Sequence, residues 1–221
     1  MIPFPVILSA PSGGGKTSIA KALLAKRSDL GYSVSCTTRQ PRPGEIQGKD
    51  YYFVSRSEFV DRRQRGDFAE SAEVHGNLYG TLRSEVDRVI GSGKHVIMDI
   101  DVQGALQFTK AFPRSVTVFI LPPSADVLLG RLRQRQTESK SELADRLQSA
   151  LQELQSVELY EYIVVNDNLD HAIQRVSSII DAEVSNRDRV AGLRKQVAEL
   201  IHHLEREIAS QKSERQKELT K

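Results

Sequence analysis

At 221 residues and 39% hydrophobic content, the chain can bury one substantial core but is short for two full domains. Its 31 basic and 29 acidic side chains leave a formal charge of +2, so the overall charge gives no reason to expect a nucleic-acid or membrane partner and any basic site must be local. A single cysteine, Cys36, excludes an intramolecular disulfide and a cysteine-based zinc site, and no apolar run reaches the roughly 20 residues of a membrane span. A cytoplasmic protein without nucleic-acid or membrane partners is expected. The opening Met1-Ile2-Pro3-Phe4-Pro5 has no basic leader and leads straight into a strand, so no cleaved targeting segment is expected.

The first strand is predicted at Val6–Ser9. It feeds Leu8-Ser9-Ala10-Pro11-Ser12-Gly13-Gly14-Gly15-Lys16-Thr17-Ser18, and a helix follows over Thr17–Arg27 with Ile19, Leu23 and Leu24 on one stripe. A strand, a glycine run, a lysine and a hydroxyl at a helix start make a phosphate-binding loop. The glycines let successive N–H groups turn toward phosphate oxygens, and the helix adds its positive end. Ser12, Gly13, Gly14, Gly15, Lys16, Thr17 and Ser18 are the candidate ATP contacts, with Lys16 bridging the β- and γ-phosphates and Thr17 ligating Mg²⁺. Ala10 stands where the usual pattern has its first glycine.

From Gly31 to Gly80 the chain breaks into short Tyr- and Phe-containing segments punctuated by Pro41, Pro43, Gly44, Gly48, Gly66 and Gly76, which predicts a small inserted β-rich lobe. Within it, Ser35-Cys36-Thr37-Thr38-Arg39-Gln40-Pro41-Arg42 sets two arginines three apart in a stretch that proline keeps from being helical. Arg39 and Arg42 would fork onto one phosphate, with hydroxyls from Ser35 and Tyr51 beside them; a solvated basic turn is the plainer alternative. Glu70 and Thr81 lie eleven apart across a turn. A carboxylate that accepts from guanine N1–H and N2–H₂, and a hydroxyl that donates to O6, would read guanine against adenine.

Further strands are predicted at His95–Ile100, Val116–Leu121 and Tyr162–Val165, apolar and β-branched as in a buried parallel sheet. Leu143, Leu147, Leu151 and Leu154 predict an amphipathic helix between the last two. The alternation of strand and helix indicates a three-layer α/β fold. Beyond Asp181 a charged stretch repeats Val190, Leu193, Val197, Leu200, Leu204 and Ile208 at helical spacing, so an amphipathic helix is expected, fraying from about Gln211.

The phosphate loop, the S-x-T-T-R-x-P-R-x-G-E block, G-x-D-Y-x-F, E-V-H-G-N-x-Y-G-T and D-I-D-V-Q-G occur in one order from Phe4 to Ile180. This combination resembles guanylate kinase. The resemblance implies a P-loop NTPase fold with a mainly parallel central sheet over residues 1–180, a GMP-binding lobe at 32–88, a helical lid at 124–147, and an extension at 181–221. It further implies that Ser35, Arg39, Arg42, Tyr51 and Tyr79 hold the GMP phosphate. Glu70, Thr81 and an acid of the Asp99, Asp101 pair would hold guanine, and one of these two aspartates would support Mg²⁺ through water. Lid residues Arg131, Arg135 and Arg146 would reach across both phosphates, making them catalytic with Lys16 and Arg39, and Asn166 would contact adenine. Ser71 and Leu78 depart from the aromatic residues common in the family, and Gln134 and Gln136 from glycines.

The expected reaction moves the γ-phosphate of ATP onto GMP, or dGMP, with Mg²⁺. No catalytic base is needed, because a phosphate monoester is largely dianionic at neutral pH; His75, His202 and His203 accordingly carry no catalytic role. A sugar-phosphate kinase on the same scaffold would not need Glu70 and Thr81, and a scaffold-type binding module would not need Gly15 and Lys16. The apolar stripe after Asp181 fits a helix packing on another helix, across a homodimer or back on the domain.

Overall fold

The computed structural model describes residues 2–74, 76–133 and 140–218. Pro3–Ala182 form one compact unit, and the N-terminal residues group with the segment from Glu183 onward in a second.

In the first unit, five strands make a wholly parallel sheet in the order β2-β7-β1-β8-β9. These are β1 (Pro5–Ser9), β2 (Leu30–Tyr32), β7 (His95–Asp99), β8 (Val116–Leu121) and β9 (Tyr162–Val165). Every residue of β1 is buried. Side chains alternate between faces along a strand, so this pattern requires cover on both faces. Helices α1 (Lys16–Lys26), α3 (Arg83–Gly91), α4 (Val102–Ala111), α5 (Ala125–Arg133), α6 (Lys140–Gln155) and α7 (Leu169–Val184) alternate with the strands. One core cluster joins Val86 and Val89 of α3, Ala105 and Phe108 of α4, and Ile7, Val96, Met98 and Phe119 of the sheet.

A second sheet, in the order β4-β3-β6-β5, is built from β3 (Ser35–Thr37), β4 (Tyr52–Phe53), β5 (Phe68–Val74) and β6 (Asn77–Leu82), with α2 (Arg56–Gln64) beside it. Its small core is Cys36, Phe59, Phe68, Leu78 and Leu82, with the rings of Phe59 and Phe68 stacked at 4.4 Å. Gly80 lies under these rings. A Cβ there would come within 2.9 Å of Phe68 and 3.0 Å of Phe59. Leu78, one of the departures noted above, fills this core.

Two expectations change. Gly31 and Tyr32 belong to the central sheet, paired with Val96 and Ile97, and α3 packs on that sheet, so the inserted sheet is narrower than 32–88. In α6 the predicted leucine stripe is split: Leu154 packs on the core, but Leu147 and Leu151 are 38% and 50% exposed, while Arg146 and Ala150 are buried. The inner face of α6 is turned to deliver polar side chains to the phosphate loop.

In the second unit, Ile2 N–H donates to the Arg189 carbonyl at 3.0 Å and Arg189 pairs with Glu183 at 2.9 Å. Helix α8 (Leu193–Glu218) follows, with Val197, Leu200, Ile201, Leu204 and Ile208 exposed along it.

Candidate active site

In an open parallel sheet, ligand clefts form beyond the carboxyl ends of the strands, and here the loops after β1 and β7 meet at that edge. After Ser9 the chain turns tightly: Gly14 N–H donates to the Pro11 carbonyl at 2.7 Å. Gly13 and Gly15 have φ of 82° and 96°, the left-handed region open to glycine. Gly14 is fixed by space instead, since a Cβ would meet Ala10 Cβ at 2.6 Å and the Pro11 carbonyl at 2.9 Å. Ala10 is thus accommodated because Gly14 stays bare. Helix α1 starts at Lys16, with no side-chain cap and no acid in its first turn, so its free N–H groups and positive end remain open to an anion.

Asp99, at the end of β7, accepts from Thr17 Oγ1 on Oδ2 at 2.5 Å and from the Tyr32 hydroxyl on Oδ1 at 3.0 Å. Asp101 has a different task. Its Oδ1 accepts from Gly104 N–H at 2.8 Å and caps α4. Thr17 and Asp99 offer hard oxygen donors beside the loop, a set suited to Mg²⁺, which keeps most of its water and phosphate ligands and asks little of the protein. No denser group of three or more His, Cys, Asp or Glu able to hold a metal occurs among the described residues.

Glu70 is 6% exposed and accepts from the Thr81 hydroxyl at 2.7 Å, across a bulged pairing of β5 and β6. Its other oxygen lies over Gly104, where a Cβ would come within 2.7 Å. Burial, and secondarily the charge of Asp101, push the Glu70 carboxyl up to about 7.

Arg39 donates to Glu45 at 2.8 Å and to the Gln40 carbonyl at 2.7 Å, and its guanidinium sits 5.4 Å from the centre of the Tyr51 ring. Glu45 also accepts from the Arg42 N–H at 2.7 Å, so one carboxylate ties the two-arginine loop together. The Arg42 side chain is exposed. Tyr51 and Tyr79 meet edge-on at 6.1 Å, and burial pushes the Tyr51 hydroxyl up to about 12, keeping it a donor at neutral pH.

Around the loop, Arg131 Nη2 donates to the Asn166 carbonyl at 3.3 Å, and Arg146 donates to Ser12 Oγ at 3.2 Å and to the Leu132 carbonyl at 3.2 Å. Asn166 is buried and its amide donates to the Gly14 carbonyl at 2.9 Å. This side chain lies under the loop, where it braces the backbone. Glu153 accepts from Ser12 N–H at 3.0 Å. Arg135, with His75, Gln134 and Gln136, lies outside the described residues.

A cleft of about 820 Å³ gathers Ser12, Lys16, Thr17, Ser35, Tyr51, Glu70, Tyr79, Asp99, Asp101 and Arg146 on its wall. Arg39, Arg42, Thr81, Arg131 and Asn166 stand off that wall; Thr81 touches it through Glu70 and Arg39 through Tyr51. Three participants were missed in the sequence. Tyr32 reaches Asp99 and Glu153 reaches Ser12, distant partners that nothing in local spacing announces, whereas Glu45, quoted in its block without a role, bonds to Arg39 and Arg42 only six and three residues away.

The guanylate kinase family model matches residues 3–183. Curated guanylate kinases from Nitrosospira multiformis and Thermotoga maritima are 48% and 44% identical, covering 80% and 86% of this chain and 84% and 94% of their own. The chain belongs to the guanylate kinase family. A crystal structure of guanylate kinase from Anaplasma phagocytophilum superposes with a TM-score of 0.72 at 36% identity, covering 88% of this chain and 93% of that one. Within this guanylate kinase frame the Ser71 departure sits on β5, half-buried, its N–H donating to Gln107 at 3.1 Å. No helix among the described residues is long and apolar enough to cross a membrane.

Proposed function

We infer that the cleft is where the chain carries out its family's reaction, ATP-dependent phosphorylation of GMP to GDP, and that the named side chains divide the two nucleotides between them. The observation that carries this reading is one continuous wall with Lys16 and Thr17 at the phosphate loop, Glu70 beyond them, and Ser35, Tyr51 and Tyr79 alongside. ATP phosphates lie on the backbone N–H groups of residues 13–18 and the start of α1, with Lys16 on the transferring group. Thr17 and Asp99 would hold Mg²⁺, which when bound would supply positive charge at the donor phosphates. GMP places its base against Glu70 and Thr81, near Asp101, and its phosphate against Ser35, Tyr51 and Tyr79, with Arg39 and Arg42 swinging in from Glu45. Because Glu70 and Thr81 face the base rather than the sugar, dGMP is accepted as well.

Two anions must be brought into line, so catalysis is alignment and charge neutralisation. Lys16, Arg131 and Arg146, with Arg135, supply the positive charge, and no side chain needs to take a proton. The catalytic domain is the unit Pro3–Ala182, with the lid at 124–147. The extension that follows carries helix α8 (Leu193–Glu218), whose exposed apolar stripe would pair with a second copy, and the protein works in the cytoplasm.

A coupled assay of ADP formation with GMP, AMP, UMP and ribose 1,5-bisphosphate as acceptors tests the assignment. GMP-selective turnover is expected. Turnover on the sugar phosphate alone would replace the guanine reading of Glu70 and Thr81, and a folded protein silent on all four would make the cleft a binding surface.

A further inference from the structure

A glycine run gives a phosphate loop its shape but not its rigidity. Gly13, Gly14 and Gly15 carry no side chains, so whatever holds the loop in its working form must grip the backbone or the flanking residues from outside. Gly14 is held at its carbonyl by Asn166 and at its N–H by Pro11. The other grip is on Ser12, from a helix more than 130 residues away in sequence: Glu153 Oε2 accepts the Ser12 N–H at 3.0 Å, and Arg146 donates to the Ser12 hydroxyl. Arg146 and Glu153 are seven residues apart on α6, two turns along one face. On that face Arg146 is buried and Glu153 half-buried while Leu147 and Leu151 are exposed, so α6 presents a charged pair to the loop.

We infer that Glu153 is a positioning residue for phosphoryl transfer, holding the Ser12 amide so that the glycine run is preset for the donor phosphates and kept in register with Arg146. The inference rests on the loop being the donor-phosphate site proposed above. Glu153 lines the cleft but its hydrogen bond goes to the loop's outer residue, ahead of the glycines. Burial raises its carboxyl above the usual glutamate value while Lys16 pulls it back, so the group balances between the loop lysine and a poorly solvated setting. What matters in this arrangement is the reach of the acceptor oxygen; the charge is secondary. A loop displaced by about 1 Å costs up to about 100-fold in rate.

Two conservative variants separate reach from charge. Glu153→Asp keeps the carboxylate and shortens it by one methylene, and Glu153→Gln keeps the length and an acceptor oxygen but removes the charge. With ATP and GMP each varied, E153D is expected to lower kcat about tenfold or more, with KM for GMP within about twofold and an unchanged melting temperature. E153Q is expected to stay within about threefold of wild type. The reverse order, equal impairment of both variants, or wild-type kcat in both overturns the inference. A wild-type protein that makes no ADP with GMP would instead sink the proposed reaction, and the two failures are told apart in the same assay.

Discussion

Replacing Glu70 by glutamine changes one oxygen to an amide nitrogen at the point where guanine is read. The carboxylate accepts from both guanine N1–H and N2–H₂ in the proposed complex, whereas the amide has one acceptor and turns a donor toward the second guanine donor. Losing a charge-assisted hydrogen bond and burying the mismatched pair costs about 3 kcal/mol, or about 100-fold in kcat/KM. The loss should fall on GMP, raising its KM while KM for ATP stays within about twofold. The buried carboxyl also has a pH signature. In the folded protein it sits at about 7 against an ordinary 4.5. Below 4.5 it is protonated whether folded or not; between 4.5 and 7 the unfolded chain is ionised while the folded one is not, so the fold loses stability across that range, on the order of 3 kcal/mol in full above 7. E70Q should therefore melt a few degrees above wild type at pH 8 and alongside it at pH 4. Wild-type KM for GMP should improve between pH 6 and 8 by more than the titration of GMP itself, which E70Q reports alone. Equal loss on ATP and GMP, or identical pH profiles for the two proteins, would refute this account.

Gly14→Ala should preserve the fold but weaken ATP binding by about 10- to 100-fold, because its Cβ has no room against Ala10 and the Pro11 carbonyl; titration with a non-hydrolysable ATP analogue reads this out, and Ala10→Gly should restore part of the loss. Tyr32→Phe removes the hydroxyl that donates to Asp99. It should cost about 1 kcal/mol, seen as a higher Mg²⁺ concentration for half-maximal rate and as weaker Mn²⁺ binding to the protein–nucleotide complex. Arg27→Ala should lower stability by about 2–3 kcal/mol in urea, since this guanidinium, largely buried, joins Asp29 at 2.7 Å, Ser177 at 2.8 Å and Asp181 at 2.6 Å and so ties the end of α1 to α7.

Strands β1, β7 and β8 were legible because both faces of the sheet are covered there, which forces continuous apolar runs; edge strand β9 leaves Ile163 45% exposed and was legible from its β-branched composition. Leu30-Gly31-Tyr32 gives no such run. It becomes a strand only by lying against β7, a tertiary effect that assigned two of its residues to the wrong sheet on sequence grounds. Two of the leucines of α6 misled for a related reason: periodicity identifies a helix, but which face is buried is set by its neighbours, Ala150 packing on Leu128 and Leu132 and Arg146 bonding to Ser12, while Leu147 and Leu151 are left exposed. Within the site, contiguous blocks such as Ser12–Ser18, or Glu70 with Thr81, could be nominated from type and spacing, and the fold puts Ser12, Lys16, Thr17 and Glu70 on one cleft wall. Tyr32 and Glu153 act on residues 67 and 141 positions away. Only the fold brings those pairs together.

The central claim is that a phosphate loop and a guanine reader on one cleft wall move a phosphoryl group directly between two nucleotides. Following ATP and GMP together by ³¹P NMR, with wild type and Lys16→Ala side by side, tests it most directly. One GDP formed for each ADP, with no free phosphate, and no detectable turnover in a folded K16A protein is the predicted result. ADP accompanied by free phosphate rather than GDP, or undiminished transfer without Lys16, would contradict it.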